Sequence, residues 1–228
     1  MLRQYNKLPK NMQNKKVKEY YDILKKKRIY LFVKRTFDII ASFLLLIILS
    51  PVFLAISIMI KIDSKGPVFY RQERITRYGR KFKIFKFRTM IVDADKKGSL
   101  VTKNNDDRIT KVGNKIRNSR LDEIPQLINI LKGDMSFVGT RPEVLKYVDK
   151  YNDEMMATLL LRAGVTSKAS IEFSDEAKIM DKYINKNKSN VEDVYIEKIL
   201  PEKMRYNLEY TRKCNIFIDI KLCIKTII

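Results

Sequence analysis

Three short clusters combine residue types able to handle a phosphate. The first is Lys83-Ile84-Phe85-Lys86-Phe87-Arg88, a cationic stretch at strand spacing. The second is Arg120-Leu121-Asp122-Glu123, and the third is Gly139-Thr140-Arg141-Pro142-Glu143, an arginine set in a turn. Taken singly, each has an ordinary structural reading: a solvated strand face, a helix-start capping pair, a punctuated loop. Together they supply what phosphoryl transfer needs. Asp122 and Glu123 offer hard oxygen ligands for Mg²⁺, and arginine grips phosphate oxygens through paired hydrogen bonds. A carboxylate can also attack phosphorus itself and form an acyl phosphate. Bringing that anion to a diphosphate requires metal, Arg or Lys to offset repulsion and stabilise the developing charge. Whether the clusters converge is a question for the fold.

The composition narrows the chemistry further. Histidine is absent from all 228 residues, so acid–base steps must run on Asp, Glu, Lys, Arg or Tyr. Cys214 and Cys223 are the only cysteines; without histidine they cannot build an ordinary structural zinc site, and they read as reduced thiols on an apolar face. With 45% hydrophobic and 32% charged residues the chain can bury a core as one domain, or one domain with an appendage. The net charge of +21 calls for a polyanionic partner: nucleic acid, an anionic membrane surface or phosphorylated substrates.

These clusters must be held by something, and the most conspicuous element lies before them. Ile39 to Ile60 is a run of 22 uncharged residues. As one straight helix it would reach about 33 Å, roughly a bilayer core. Both flanks are basic. Nine Lys or Arg and two acids lie between Lys15 and Arg35, and ten Lys or Arg and two acids lie between Lys61 and Arg88. Basic flanks favour the cytoplasmic side, which a re-entrant segment satisfies and a span does not. Ser50-Pro51 sits mid-run: proline breaks the hydrogen-bond ladder, and the serine hydroxyl can serve a freed carbonyl. A kinked spanning helix remains the competing reading on these grounds alone.

Elsewhere, Val17, Tyr20, Tyr21 and Leu24 fall on one helix face, so 15–33 reads as a surface or membrane-interface helix after a loose first dozen residues. Val68–Arg71 and Phe82–Phe87 read as paired strands turning at Tyr78-Gly79. Residues 106–118, 142–162 and 191–213 read as helical. Ile124, Leu127, Ile128 and Leu131 mark another helix that stops at Gly133. Pro125 fits its first turn, which places Asp122 and Glu123 at its N-terminus, where the helix dipole would help keep a nucleophile ionised. The tail Ile216–Ile228 suits an interfacial helix, with a core helix as the alternative.

An ordered set of segments carries a resemblance. Lys34-Arg35-Thr36-Phe37-Asp38, the apolar run with Ser50-Pro51, Lys86-Phe87-Arg88-Thr89-Met90, Ser119 to Leu127 and Leu131 to Gly139 all resemble the bacterial sugar transferases, in particular the compact monotopic phosphoglycosyl transferases. The resemblance is close over residues 34–145 and looser to the C-terminus. It implies an α+β, mainly helical fold with a re-entrant helix-break-helix, a small β-hairpin and amphipathic helices at the membrane interface. The organisation would be a basic extension (1–33), a re-entrant membrane helix (34–62) broken at Ser50 and Pro51, and a cytoplasmic catalytic domain (63–228). It implies an Mg²⁺-dependent ping-pong reaction on a UDP-sugar and polyprenyl phosphate at the cytoplasmic face of a bacterial inner membrane, where anionic lipids are further partners. Asp122 would be the nucleophile, Glu123 would assist at the metal or with protons, and Arg141 would bind phosphate or nucleotide. Lys86, Arg88 and Arg120 would be further phosphate contacts. Two departures stand out. Thr140 replaces the first residue of the family's Pro-Arg-Pro, and 162–170 keeps only Gly164 and Thr166 of the usual pattern.

Two other classes compete. A nucleic-acid-binding protein would account for the charge, but it needs a recognition motif that the sequence lacks, and the apolar run is hard to place in one, so no nucleic-acid partner is expected. An inactive membrane scaffold is opposed by the intact Asp122-Glu123 pair.

Overall fold

The computed structural model describes residues 2–94, 106–174, 178–180, 183 and 191–227. It is a mainly helical α+β fold with two small sheets. Two 3₁₀ turns, Tyr5–Lys7 and Lys10–Met12, lead into α1 (Lys15–Lys26), which Asn14 caps by accepting from the Val17 amide. The stripe Val17, Tyr20, Tyr21 and Leu24 is buried, together with Leu8 and Met12, against Leu159, Leu160 and Tyr210. The first dozen residues are therefore packed rather than loose, and α1 is a core helix rather than an interfacial one. An amphipathic stripe has the same periodicity whether lipid or protein covers it; here residues 157–161 cover it.

The apolar run is divided between α2 (Arg28–Ile48) and α3 (Ser50–Asp63), which meet at Leu49 with a bend of 61°. α2 begins before residue 34, so the leader and the apolar segment share one helix. The break has a local cause. Pro51 has no N–H for the Ile47 carbonyl four residues back, and Ser50 Oγ donates to that carbonyl at 2.8 Å. Among the described residues no single helix is long and apolar enough to cross a bilayer; the bent pair passes that test only together. Phe37, Ile40, Phe43, Leu44, Ile47, Ile48, Leu54 and Ile58 are all exposed, an apolar surface larger than a water-facing monomer ordinarily carries.

The opposite side of α2 is fastened to the rest of the chain. Asp38, buried, accepts from Ser136 Oγ and the Phe137 amide, both at 3.1 Å. Arg35 donates to the carbonyls of Ile130 and Leu131 at 2.8 and 3.2 Å. Those carbonyls belong to the last turn of α5 (Gln126–Lys132), where Ile130 O also accepts from the Gly133 amide at 3.0 Å.

β1 (Phe69–Thr76) and β2 (Arg80–Phe87) form the antiparallel hairpin, longer on its first strand than the sequence predicts, with Tyr78 at φ 61° in the turn. Alternation turns Phe82 and Ile84 into the core and leaves Lys81 and Lys83 exposed. β3 (Met135–Val138) and β4 (Ala163–Thr166) make a parallel pair. Between them, the helix predicted over 142–162 is reduced to α6 (Leu145–Val148) and a 3₁₀ stretch, Met155–Leu160. The cause is Asn152, whose side chain accepts from the amides of Glu154 and Met155 and starts a new turn.

Likewise α4 spans only Lys111–Asn118 of the predicted 106–118, because Thr110 caps it and Ile109 bridges to Met90 instead. After α7 (Lys168–Glu172), a turn at Val191–Val194 and a π-helical stretch, Tyr195–Ile199, run into α8 (Leu200–Lys213). The last helix, α9 (Ile216–Ile227), buries Leu222 and exposes Ile216, Phe217, Ile220 and Ile224, the face expected of an interfacial helix. Cys214 and Cys223 are both free thiols.

Candidate functional site

Asp122 and Glu123 lie in a single 3₁₀ turn, Leu121–Glu123, entered through Arg120 at φ 54°. The left-handed residue reverses the chain after α4, and Leu121 packs against the cluster of Ile56, Ile60, Phe87 and Ile116. The carboxylates are thus moored beside α3. They precede α5 rather than beginning it, since that helix starts at Gln126 after Pro125. Lys86, on β2, reaches both: its Nζ stands 2.6 Å from Glu123 Oε1 and 3.9 Å from Asp122 Oδ2.

The two neighbours titrate in opposite directions. Burial pushes the Asp122 carboxyl up to about 6, against the pull of Lys86. Asp122 is thus not held ionised by a helix start, as the sequence suggested; desolvation decides. Glu123 is also desolvated, but contact with Lys86, reinforced by Arg141 and Arg120, outweighs burial and holds it below the usual carboxylate range. Adjacent carboxylates pushed apart in this way can take different roles.

Arg141 is placed by strand-like pairing of 139–140 with β4. Gly139 N donates to Thr166 O at 3.0 Å and Gly164 N to Thr140 O at 2.9 Å. A Cβ on Gly139 would lie 2.4 Å from the Arg162 carbonyl, and one on Gly164 would lie 2.2 Å from Gly139 N, so both must be glycine for this approach. The Arg141 amide donates to Asn207 Oδ1 at 3.2 Å, and its guanidinium donates to Ser170 Oγ at 2.7 Å. Thr140, where the first proline of the pattern would stand, is buried and donates to the Thr158 carbonyl at 3.3 Å. The divergent 162–170 segment therefore orients Arg141.

Arg88 is placed differently from the other cations. It is buried, and its guanidinium donates to the Ser64 carbonyl at 2.8 Å and to that of Lys65, holding the chain after α3 against β2. Ser50 and Pro51 lie at the helix joint, apart from the carboxylates.

Lys86, Arg88, Arg120, Asp122, Glu123 and Arg141 all line one cavity of ≈ 910 Å³. Sequence reasoning missed several of its walls. Arg71, Arg74 and Arg117 add positive charge. Glu143 and Lys203 also line it, 4% and 1% exposed. Among the described residues Oε1 of Glu143 has no hydrogen-bond partner, while its Oε2 is 4.0 Å from Arg74. Lys203 Nζ donates to the Tyr195 hydroxyl at 3.1 Å, and the Tyr195 and Tyr147 rings lie 4.3 Å apart. The signal for Lys203 was present: it falls on the buried stripe of α8 with Leu200, Met204 and Asn207.

Among the described residues no group of three or more His, Cys, Asp or Glu side chains could enclose a metal. Two adjacent carboxylates facing a space for phosphate oxygens nevertheless fit Mg²⁺, which takes one or two carboxylates plus substrate phosphates.

Against known proteins, residues 29–228 match the family model described as bacterial sugar transferase. The chain is 33% identical over 202 residues to a UDP-N-acetylgalactosamine-undecaprenyl-phosphate N-acetylgalactosaminephosphotransferase of Aeromonas hydrophila, covering 87% of this chain and 44% of that protein. It is 34% identical over 199 residues to a UDP-glucose:undecaprenyl-phosphate glucose-1-phosphate transferase of Escherichia coli, covering 86% and 39%. It is 35% identical over 201 residues to an undecaprenyl-phosphate glucose phosphotransferase of Komagataeibacter xylinus, covering 85% and 35%. The chain thus spans less than half the length of these three relatives.

Proposed function

The chain belongs to the bacterial sugar transferase family, and from that premise we propose that it moves a sugar 1-phosphate from a UDP-sugar to undecaprenyl phosphate, releasing UMP. The relatives' names supply the substrate classes. The observation that carries the reading is Lys86 set between Asp122 and Glu123 at one wall of an arginine-lined cavity. That cavity adjoins the bent pair α2–α3, which lies re-entrant in the inner membrane with both basic flanks on the cytoplasmic side.

Asp122 Oδ attacks the phosphorus that bears the sugar. The bond from that phosphorus to the bridging oxygen breaks, and UMP leaves with the electron pair. In the second half-reaction a phosphate oxygen of the lipid attacks the same phosphorus and the Asp122 carboxylate departs, giving a polyprenyl-diphosphate sugar. Asp122 and Glu123 would hold Mg²⁺, which when bound offsets charge on the diphosphate. Burial keeps Asp122 poorly solvated, so little water has to be stripped from it before attack. Lys86 and Arg141, with Arg120, balance the anionic charge that gathers as donor and carboxylate meet. Arg88, at the cavity wall, also fixes β2 to the end of α3. The buried groups Glu143, Tyr147, Tyr195 and Lys203 face the uncharged part of the donor, where an unpaired carboxylate oxygen suits a hydroxyl or N–H.

The test is direct. Purified protein with Mg²⁺, undecaprenyl phosphate and a panel of UDP-sugars releases UMP with at least one donor, and Asp122→Ala releases none. UMP release unchanged in Asp122→Ala, or absent with every donor, defeats the reading.

A further inference from the structure

A second, smaller cleft of ≈ 30 Å³ lies against the first half of α2 and shares no lining residue with the cavity above. Its walls include Lys34, Arg35, Arg77 and Arg162, with Asp38 as the one acid among the lining residues. That acid is already committed to Ser136 and the Phe137 amide, and Lys34 is paired to Asp219 at 2.7 Å. Among the described residues, Arg77 and Arg162 each use only Nε for a hydrogen bond, to the Leu160 carbonyl at 2.9 Å and the Gly133 carbonyl at 3.1 Å. The N-terminal leader adds a further cation: the Arg3 guanidinium lies over the Tyr78 ring, 4.8 Å from its centroid, beside Arg77.

These guanidiniums repel one another. Burial first, then Arg77 and Arg35, pull Arg162 down to about 10, and burial together with Arg3 lowers Arg77. So many cations held around a small cleft, with terminal guanidinium nitrogens to spare, call for an anion with several acceptor oxygens. The space admits the outer oxygens of a phosphate group and no nucleotide. The source follows from the level of the cleft along α2: Ile29, Phe32, Val33 and Phe37 project from the opposite, exposed face of the same turns, and Phe37 begins the apolar surface assigned above to the bilayer.

We propose that the cleft between α2 and the β1–β2 turn binds the phosphate of an anionic membrane phospholipid, with Arg77 and Arg162 as its principal donors. The inference rests on the membrane placement of α2–α3 given under the proposed function. It gives the basic leader a role, since Arg3 completes the site.

The experiment uses the full chain in detergent with phosphatidylglycerol, lipid retention being read by native mass spectrometry and UMP release measured separately. The protein is expected to hold a lipid that Arg77→Gln/Arg162→Gln loses by about tenfold or more, the cost of roughly one charge-assisted hydrogen bond. The exposed pair Lys25→Gln/Lys26→Gln should leave retention unchanged. Arg3→Gln, remote from the core, should weaken it about threefold, as a peripheral charge does, and decides the matter if the double variant does not fold. Retention by Arg77→Gln/Arg162→Gln equal to the parent, or no loss in Arg3→Gln, overturns the site. Displacement of the lipid by an equal concentration of inorganic phosphate overturns the lipid as its source. Because retention requires no sugar transfer, failure here and failure of UMP release are distinguishable.

Discussion

Lys86 Nζ lies 2.6 Å from one carboxylate and 3.9 Å from its neighbour, so a single ammonium is shared unequally between Glu123 and Asp122. The closer partner is kept ionised, and the farther one is left to the effect of burial. Much of the expected chemistry depends on that asymmetry.

Replacing Lys86 by Met should therefore do more than remove a phosphate contact. UMP release should fall by about 10²-fold, the usual loss of one preorganised electrostatic group. The acid limb of the rate profile should also move to higher pH, because the attraction that restrains Asp122 is gone. A rate loss with an unmoved pH profile would reduce Lys86 to a substrate contact.

Asp122 also makes a stability prediction in Mg²⁺-free protein. Its folded-state value of about 6 lies above that of an unfolded aspartate, so the fold binds this proton more tightly. The resulting stabilisation is complete below the unfolded value and is lost as pH rises through about 6. Asp122→Asn does not titrate. Its stability relative to the parent should rise between pH 4 and pH 8 by up to about 3 kcal/mol. Thermal midpoints across that range check it, and a difference independent of pH would contradict it.

Ser50 and Pro51 can be tested through topology. With both residues changed to Ala, the Ile47 carbonyl regains an ordinary helical partner and the reason for the 61° bend is removed. The double variant should span the membrane in part of the population, exposing an N-terminal tag to protease outside the cell. The parent should keep that tag protected in intact cells.

Also on the cavity wall, Lys203→Met should raise KM for the UDP-sugar by about tenfold with a smaller change in kcat, since Lys203 donates to the Tyr195 hydroxyl in the wall proposed to face the donor. KM for undecaprenyl phosphate should not move. A loss confined to kcat would remove Lys203 from donor recognition.

The hairpin and the helix joint could be read from residue order because local rules create them, whereas the carboxylate pair, expected at the start of α5, sits in a 3₁₀ turn before it. Strand alternation, the missing proline N–H and the turn at Tyr78-Gly79 all act within a few residues. The 142–162 stretch was misread because periodicity cannot show an asparagine side chain capturing two amides. The role of α1 was misread because residues 157–161, far along the chain, cover its apolar stripe. Arg88 carried the right charge in the right strand, yet only the fold shows its guanidinium on the Ser64 and Lys65 carbonyls. Glu143 stands in the Arg141 cluster, where residue order gives it no role, and Lys203 is not singled out by it; both became candidates once the turn after Arg141 and α8 were seen to share a wall.

The contact between Gly139 and Gly164 joins the segment that carries Arg141 to the 162–170 stretch, which departs from the family's usual pattern. Because that contact is backbone against backbone, it survives side-chain replacement at Thr166, Ile171 or Phe173, all of which line the cavity. Under the proposed function, replacements at these positions would retune donor preference while leaving Arg141 and the carboxylate pair in place.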